Sequence, residues 1–236
     1  MAQRCDDTEM ALSELANLSS PEVSAVGARV LLVPVGSLEQ HGPHLPLDTD
    51  TRIAVALAGA VALQRIDTLV APAIAIGSSG EHEGFAGTLS IGSEALALLL
   101  IELVRSNRDF DHVVFVNGHG GNFDSLQRAT SQLISEAHSV MAYFPSVPGG
   151  DAHAGRTETS LMLHLDASVV RLELAEAGAT EPLAELLPVM RAGGVRAVSP
   201  NGVLGDPRGA SAEEGAELFA TLVAALATQV AAMVDQ

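Results

Sequence analysis

The chain of 236 residues has a single cysteine, Cys5, and no tryptophan. One thiol excludes an intrachain disulfide framework, is consistent with the cytoplasm, and leaves nothing for a cysteine-rich structural zinc site. Aromatic residues make up 3% of the chain against 47% for hydrophobic residues as a class, so the core must be aliphatic. Positive charge is scarce: 12 Lys and Arg stand against 29 Asp and Glu, a net charge of −17. Such a balance repels nucleic acid and anionic membranes and argues against both as partners. The longest apolar stretches, ALALLLIELV and LFATLVAALATQVAAMV, are too short or too amphipathic to read as bilayer spans. The start, MAQRCDDTEM, carries acids where a signal peptide has its apolar run. A cytoplasmic protein is expected. With no linker, low-complexity block or fixed repeat, the length suits one α/β domain over 1–236, loosely ordered over about 1–20.

What is present is concentrated. GSLEQHGPHLPLDTD holds Glu39, His41, Asp48 and Asp50 within twelve positions. In an extended backbone side chains at i and i+2 share a face, so Glu39 and His41 converge while Gln40 turns away. Gly42, Pro43 and Pro46 then force a loop that is able to return Asp50 to the same point. Carboxylate with imidazole suits a divalent transition metal. A lone Glu and His would read as an ordinary polar loop; three potential ligands in one tight segment do not. VVFVNGHGGN adds His119 after an apolar run, and DAHAGRTETS adds His153 and Glu158 ahead of a helical stretch. Glu39, His41, Asp50, His119 and Glu158 are more ligands than one catalytic metal takes. They suit two divalent ions sharing a bridging carboxylate. Three carboxylates nearly neutralise two such ions, and one hydroxide completes the balance.

Strand-like and helix-like segments alternate, the pattern of a mainly parallel sheet flanked by helices. Strands are expected at 28–35, 68–76, 112–116 and 139–144, and helices at 51–65, 93–107 and 123–139. A last helix opens at Ser211 and Glu214, spaced as a capping box, and runs to about Val234. Pro34 places the end of the first strand near 33, or puts that strand at a sheet edge. Every proposed ligand then lies after a strand or at a helix start, where open α/β sheets carry their sites.

The segments GSLEQHGPHLPLDTD, GEHEGFAGTLSIG, NGHGGN and HAGRTETS resemble, in this order, the creatininase family of metal-dependent amidohydrolases. The resemblance spans residues 30 to 165 and implies a three-layer α/β sandwich and two divalent ions, zinc, manganese or iron. It implies that Glu39, His119 and Asp50 hold one ion, and that His41 and the bridging Asp50 hold the other. Creatininase itself has a glutamate two positions after the histidine of its HYEN motif, where this chain has Gly121. That departure argues against creatinine as substrate and makes Glu158 the replacement ligand. Within the family the GEH-x-GF-x-GT stretch is most similar to the peptidases of the mycofactocin system. This likeness implies release of a C-terminal Val-Tyr dipeptide from a modified precursor peptide. The family resemblance also implies a homo-oligomer, often a hexamer. A small cyclic amide or formamide as substrate is the alternative, and a non-catalytic metal-binding protein the third reading.

Other residues read less sharply. His153, five positions before Glu158, is expected to stabilise the tetrahedral intermediate or protonate the leaving nitrogen. Glu81, His82 and Phe85 are expected in a substrate-facing lid, with Phe85 as an apolar wall. Gly118, Gly120 and Gly121 let the backbone pass close to metals and substrate. His44 and Asp48 are candidates to orient the ligands. Asn122 has the same candidacy, but capping the following helix is its more ordinary role. NGHGGN as a phosphate-binding turn is the rival reading, but position 123 is Phe and there is no Walker lysine. His112, His138 and His164 have no ligand partner at useful spacing and read as structural. The loop 193–211 is expected to close over the site or a neighbouring subunit. Its Arg196 and Arg208 are candidates to pair with a peptide carboxylate.

Overall fold

The structure, a computed structural model, describes residues 13–235. Cys5 and the first twelve positions of the expected loose segment lie outside the described residues. Beyond them, Leu15 and Leu18 already pack against the core, ahead of a short helix, α1 (Ser20–Val26).

Four strands, β1 (Val30–Val35), β2 (Thr68–Val70), β3 (His112–Asn117) and β4 (Ser139–Tyr143), form one sheet in the order β2-β1-β3-β4. All pairings are parallel. β1 and β3 are apolar almost throughout because a parallel sheet is covered on both faces. Successive side chains divide between the two cores. Val30, Leu32, Val114 and Val116 point into one, and Leu31, Val33, Val113 and Phe115 into the other. Helices α2 (Thr49–Ala62), α5 (Arg156–Asp166) and α7 (Ala212–Val234) cover the first face; α3 (Ser93–Ser106) and α4 (Phe123–Ser135) cover the second. The molecule is therefore a three-layer α/β sandwich. By length and composition α7 is apolar enough to cross a membrane, but here Leu222, Val223, Leu226 and Val230 are buried in the first core.

The structure corrects several expectations. Pro34 sits inside β1, a central strand, with Val35 still paired to Asn117 of β3. Leu32 and Pro34 present their carbonyls to the β2 side, accepting from Ala71 and Ile74. The amide hydrogen Pro34 lacks would point to that same side, past the last residue of β2, so no ladder bond is lost. The second strand stops at Val70, two residues before Pro72. The helix expected to follow Asp50 begins at Thr49 and takes that residue into its first turn. Half of the expected capping box forms: Ser211 Oγ accepts from the Glu214 amide at 3.2 Å, while the Glu214 carboxylate goes to Arg156. A further helix, α6 (Leu183–Gly193), holds Pro188 in its interior. Its proline content hid it in the sequence.

Candidate active site

The C-terminal ends of the strands deliver the polar residues to one place. After β1 the chain loops back, closed by a 3.0 Å hydrogen bond from the Glu39 amide to the Leu47 carbonyl. That closure sets Asp50, in the first turn of α2, beside Glu39 and His41. After β3 the chain passes so close to α2 that a Cβ at Gly118 would overlap the Asp50 carbonyl; only glycine permits the approach. After β4, Asp151 caps the start of α5, accepting from the Arg156 amide and, at 3.0 Å, from the Thr157 amide. Glu158 thereby sits in the first turn of α5. His44 steadies the same turn, its Nε2 2.9 Å from Thr159 Oγ1.

Three donor groups result among the described residues. Glu39, Asp50 and His119 form one and His41, Asp50 and Glu158 another, with Asp50 in both; Glu39, His41 and His153 form a third. Asp50 Oδ1 is 2.9 Å from His41 Nε2 and Oδ2 is 3.2 Å from His119 Nδ1. Ser37 Oγ donates to Oδ2 at 2.7 Å and fixes the carboxylate plane. The far nitrogen of each imidazole meets a backbone carbonyl: His41 Nδ1 the Glu39 carbonyl at 3.1 Å, His119 Nε2 the Ser78 carbonyl at 3.1 Å. His41 thus has one nitrogen engaged by the main chain and the other turned inward, the usual arrangement of metal-binding histidines; His119 turns Nδ1 to Asp50, while its Nε2 lies 3.1 Å from both the Ser78 carbonyl and Glu39 Oε2.

The electrostatics fit a cation. Burial raises the Glu39 carboxyl to about 8 against the pull of His119 and His41, and burial raises Glu158 to about 7. For Asp50, burial acts upward, but His41 and His119 outweigh it and hold the group well below the ordinary carboxylate range. Burial pushes His41 down, yet Asp50 carries it up to about 10. His119 is likewise raised, by Glu39 and Asp50. Protons on the two imidazoles therefore balance the buried carboxylates, a charge that a divalent ion would supply while releasing those protons. Both Glu39 oxygens are buried with no hydrogen-bond donor in suitable geometry, although His82 Nε2 and His119 Nε2 each stand 3.1 Å away. Orphaned carboxylate oxygens among imidazoles suit a zinc- or manganese-type ion.

A residue overlooked in the sequence organises the remaining histidines. Gln40 does turn away from Glu39 and His41, but its buried Nε2 lies 2.9 Å from His82 Nδ1, 3.0 Å from His153 Nε2 and 3.0 Å from the Gly202 carbonyl. His153 Nε2 is also 2.9 Å from the Gln40 carbonyl. An amide has two hydrogens. One consistent assignment sends them to His82 Nδ1 and the Gly202 carbonyl, with His153 donating from Nε2 to the Gln40 carbonyl. His153 Nδ1 is then an unprotonated atom facing the centre, 3.7 Å from Glu39 Oε1. Burial, with His41 and His82 nearby, keeps His153 neutral; burial and His119 lower His82 to about 4. The 193–211 segment is the outer wall of this arrangement, since Leu204 pairs with His153 through backbone hydrogen bonds in both directions.

The sequence model of the creatininase family (creatinine amidohydrolase) matches residues 16–230. The chain belongs to the creatininase family. A mycofactocin precursor peptide peptidase of Mycolicibacterium smegmatis is 53% identical over 207 residues, covering 85% of this chain and 84% of the relative. A crystal structure of creatinine amidohydrolase (creatininase) superposes with a TM-score of 0.78 at 27% identity, covering 92% of this chain and 96% of that one. A mutant creatininase of Zn-Zn type has a TM-score of 0.74 at 27% identity, covering 92% and 96% of the two chains.

On this creatininase-family scaffold the remaining expectations divide. A cleft of about 540 Å³ opens onto the donor groups, bounded by Glu81, His82, His119, Gly120, Gly121 and His153 among others. A second of about 300 Å³ meets it at His119 and Gly120 and continues along Glu158. Glu81 leans on His119, its Oε1 3.4 Å from Nε2; burial raises its carboxyl, but His119 pulls it down further. Phe85 is no lid wall: its ring packs with Leu186, Val195 and Leu204 under the Arg196 guanidinium. Asp48 gives its carboxylate to Arg52 at 2.8 Å instead of to a ligand. Asn122 makes no helix cap. It joins three segments, donating to the Gly36 carbonyl and Asn117 Oδ1 and accepting from the Ser78 amide. Arg208 is held by Asp206, and Arg196 donates to the Gly84 carbonyl.

Proposed function

We propose that this chain is a dinuclear metal-dependent amide hydrolase that releases a C-terminal Val-Tyr dipeptide from the modified precursor peptide of the mycofactocin system. The observation that carries the reading is Asp50, shared between two three-residue donor groups. Similarity to a mycofactocin precursor peptide peptidase over most of both chains supports the substrate. Glu39, His119 and Asp50 would hold one ion, and His41, Glu158 and Asp50 the other. Bound there, such ions lower the pKa of water toward neutrality and polarise a carbonyl.

The protein groups do the rest. Ser37 and the two backbone-anchored imidazoles keep Asp50 and its partners oriented before substrate arrives. His153 Nδ1, neutral and facing the centre, accepts the proton of the attacking water and returns it to the departing amine. The C–N bond breaks, the hydroxyl stays on the new carboxylate, and the proton leaves on nitrogen. Gln40 keeps the His153 ring in register through that transfer. The cleft and its continuation along Glu158 give an extended peptide room on both sides of the donor groups. Family resemblance supports a homo-oligomer, and sedimentation velocity measures its size.

The test is mass spectrometry of a precursor-like peptide ending in Val-Tyr, incubated with zinc- or manganese-loaded protein with and without chelator. Chelator-sensitive release of the intact dipeptide is the expected result. No cleavage at confirmed metal content would overturn the peptidase reading.

A further inference from the structure

The two clefts that meet at His119 are not equivalent. His153, which hands the proton to the departing nitrogen, lines the 540 Å³ cleft and not the 300 Å³ one. A proton donor acts only within hydrogen-bond reach of its acceptor. The nitrogen half of an amide substrate therefore lies in the larger cleft, and the acyl half is left with the smaller one, along Glu158.

Hydrolysis fixes the charge that the larger cleft must take up. The C–N bond breaks, the hydroxyl stays on carbon, and the proton of the new carboxyl group passes to the amine. An α-amine has an ordinary pKa of about 8, so the departing fragment leaves neutral solution conditions as an ammonium ion. Its natural partner is a carboxylate.

The larger cleft offers one. Its lining holds two carboxylates, Glu81 and Asp124, against a single guanidinium, Arg191. Asp124 is exposed at the start of α4. Glu81 stands beside the donor groups, its Oε1 3.4 Å from His119 Nε2, and its side chain is 30% exposed where those of Glu39 and Asp50 are 0% and 2% exposed. No arginine pairs with Glu81 among the described residues. The smaller cleft has no equivalent: its carboxylates are Asp151, which caps α5, and Glu158, a proposed ligand.

We propose that Glu81 binds the departing amine as its ammonium ion, so that the cleft bearing His153 takes the amine fragment and the cleft along Glu158 takes the acyl fragment. This rests on the peptidase reading and adds the direction in which the substrate lies. No bond to Glu81 forms or breaks.

The experiment compares two substrates of one sequence ending in Val-Tyr, both closed as C-terminal amides. One has the amide nitrogen before Val, and the other has an ester oxygen in its place. An ester releases a neutral alcohol, which gains nothing from a carboxylate. Metal-loaded full-length protein and its Glu81→Gln and Glu81→Asp variants are assayed, with metal content measured in each. Glu81→Gln should lower kcat/KM for the amide about 10- to 100-fold more than for the ester, the range of one hydrogen bond to a charged group. Glu81→Asp should restore part of that difference. General damage to the fold or to metal loading lowers both rates alike, so the ratio isolates the contact. Calorimetric titration of Val-Tyr amide and of its N-acetyl derivative reads the same contact without turnover. The wild type should prefer the free amine, and Glu81→Gln should lose that preference. Equal falls for amide and ester, or a preference that survives in Glu81→Gln, would overturn the proposal and leave the peptidase reading standing. Cleavage of neither substrate at confirmed metal content would sink both.

Discussion

The Glu81 carboxylate occupies the space into which a side chain at position 121 would point. A Cβ on Gly121 would overlap both Glu81 Oε1 and His119 Nε2. Where creatininase carries a glutamate two positions after its histidine, this chain has a glycine and brings a carboxylate from another loop against the same histidine. Gly121→Ala should displace Glu81 or the His119 ring. Overpacking typically costs about 1–3 kcal/mol, and His119 is a proposed ligand, so zinc affinity and turnover should fall together. Removing Glu81 as well, in Gly121→Ala with Glu81→Ala, should recover part of the zinc affinity. Strictly additive losses in that double-mutant cycle would mean the two positions do not compete.

Asp50 is the second test, because two of the donor groups share it. Asp50→Ala should lose metal and activity together, by more than the 10- to 100-fold typical of groups that only orient ligands. Metal content by mass spectrometry and dipeptide release are read on the same sample. Full occupancy with retained activity would remove Asp50 from the bridging role.

The two cores and the convergence of Glu39 with His41 are legible because each is a short-range pattern. Val30 to Val35 and His112 to Asn117 read as buried strands from apolar content alone, and Glu39 and His41 share a face by pleat geometry. What escaped depends on partners far along the chain. Gln40 was rightly turned from Glu39, but its amide reaches Gly202, 162 positions away, a contact no local pattern encodes. Asp48 and Phe85 looked equally available until Arg52 and the small cluster at Leu186 claimed them. Helix α6, hidden by Pro182 and Pro188, took the cleft wall formed by Leu183, Leu187 and Met190 out of view with it.

Gln40→Met keeps the volume and removes the amide that ties His82 and His153 to Gly202. Neither is among the five proposed ligands, so zinc content should hold while kcat falls about 10- to 100-fold. Loosening His153 should also alter the pH profile of kcat, which a purely structural role would not do. A kcat drop with an unaltered profile would make Gln40 a packing residue only.

The last prediction concerns acid stability. Burial, with a smaller contribution from His41, lowers His44 to about 4, against about 6.5 for an unperturbed imidazole. Between those values the unfolded chain binds a proton that folded His44 refuses, so stability falls as pH drops through the window. The contribution is fully present above about 6.5. The slope for one such group approaches about 1.4 kcal/mol per pH unit. His44→Gln removes the titrating group, so in chelator-containing buffer its urea-unfolding free energy should fall less steeply than that of the wild type from pH 6.5 to 4.5. Parallel slopes for the two proteins would show that His44 accepts its proton while folded. The contact of its ring with Thr159 would then tolerate the charged form, with Nε2 donating to Thr159 Oγ1.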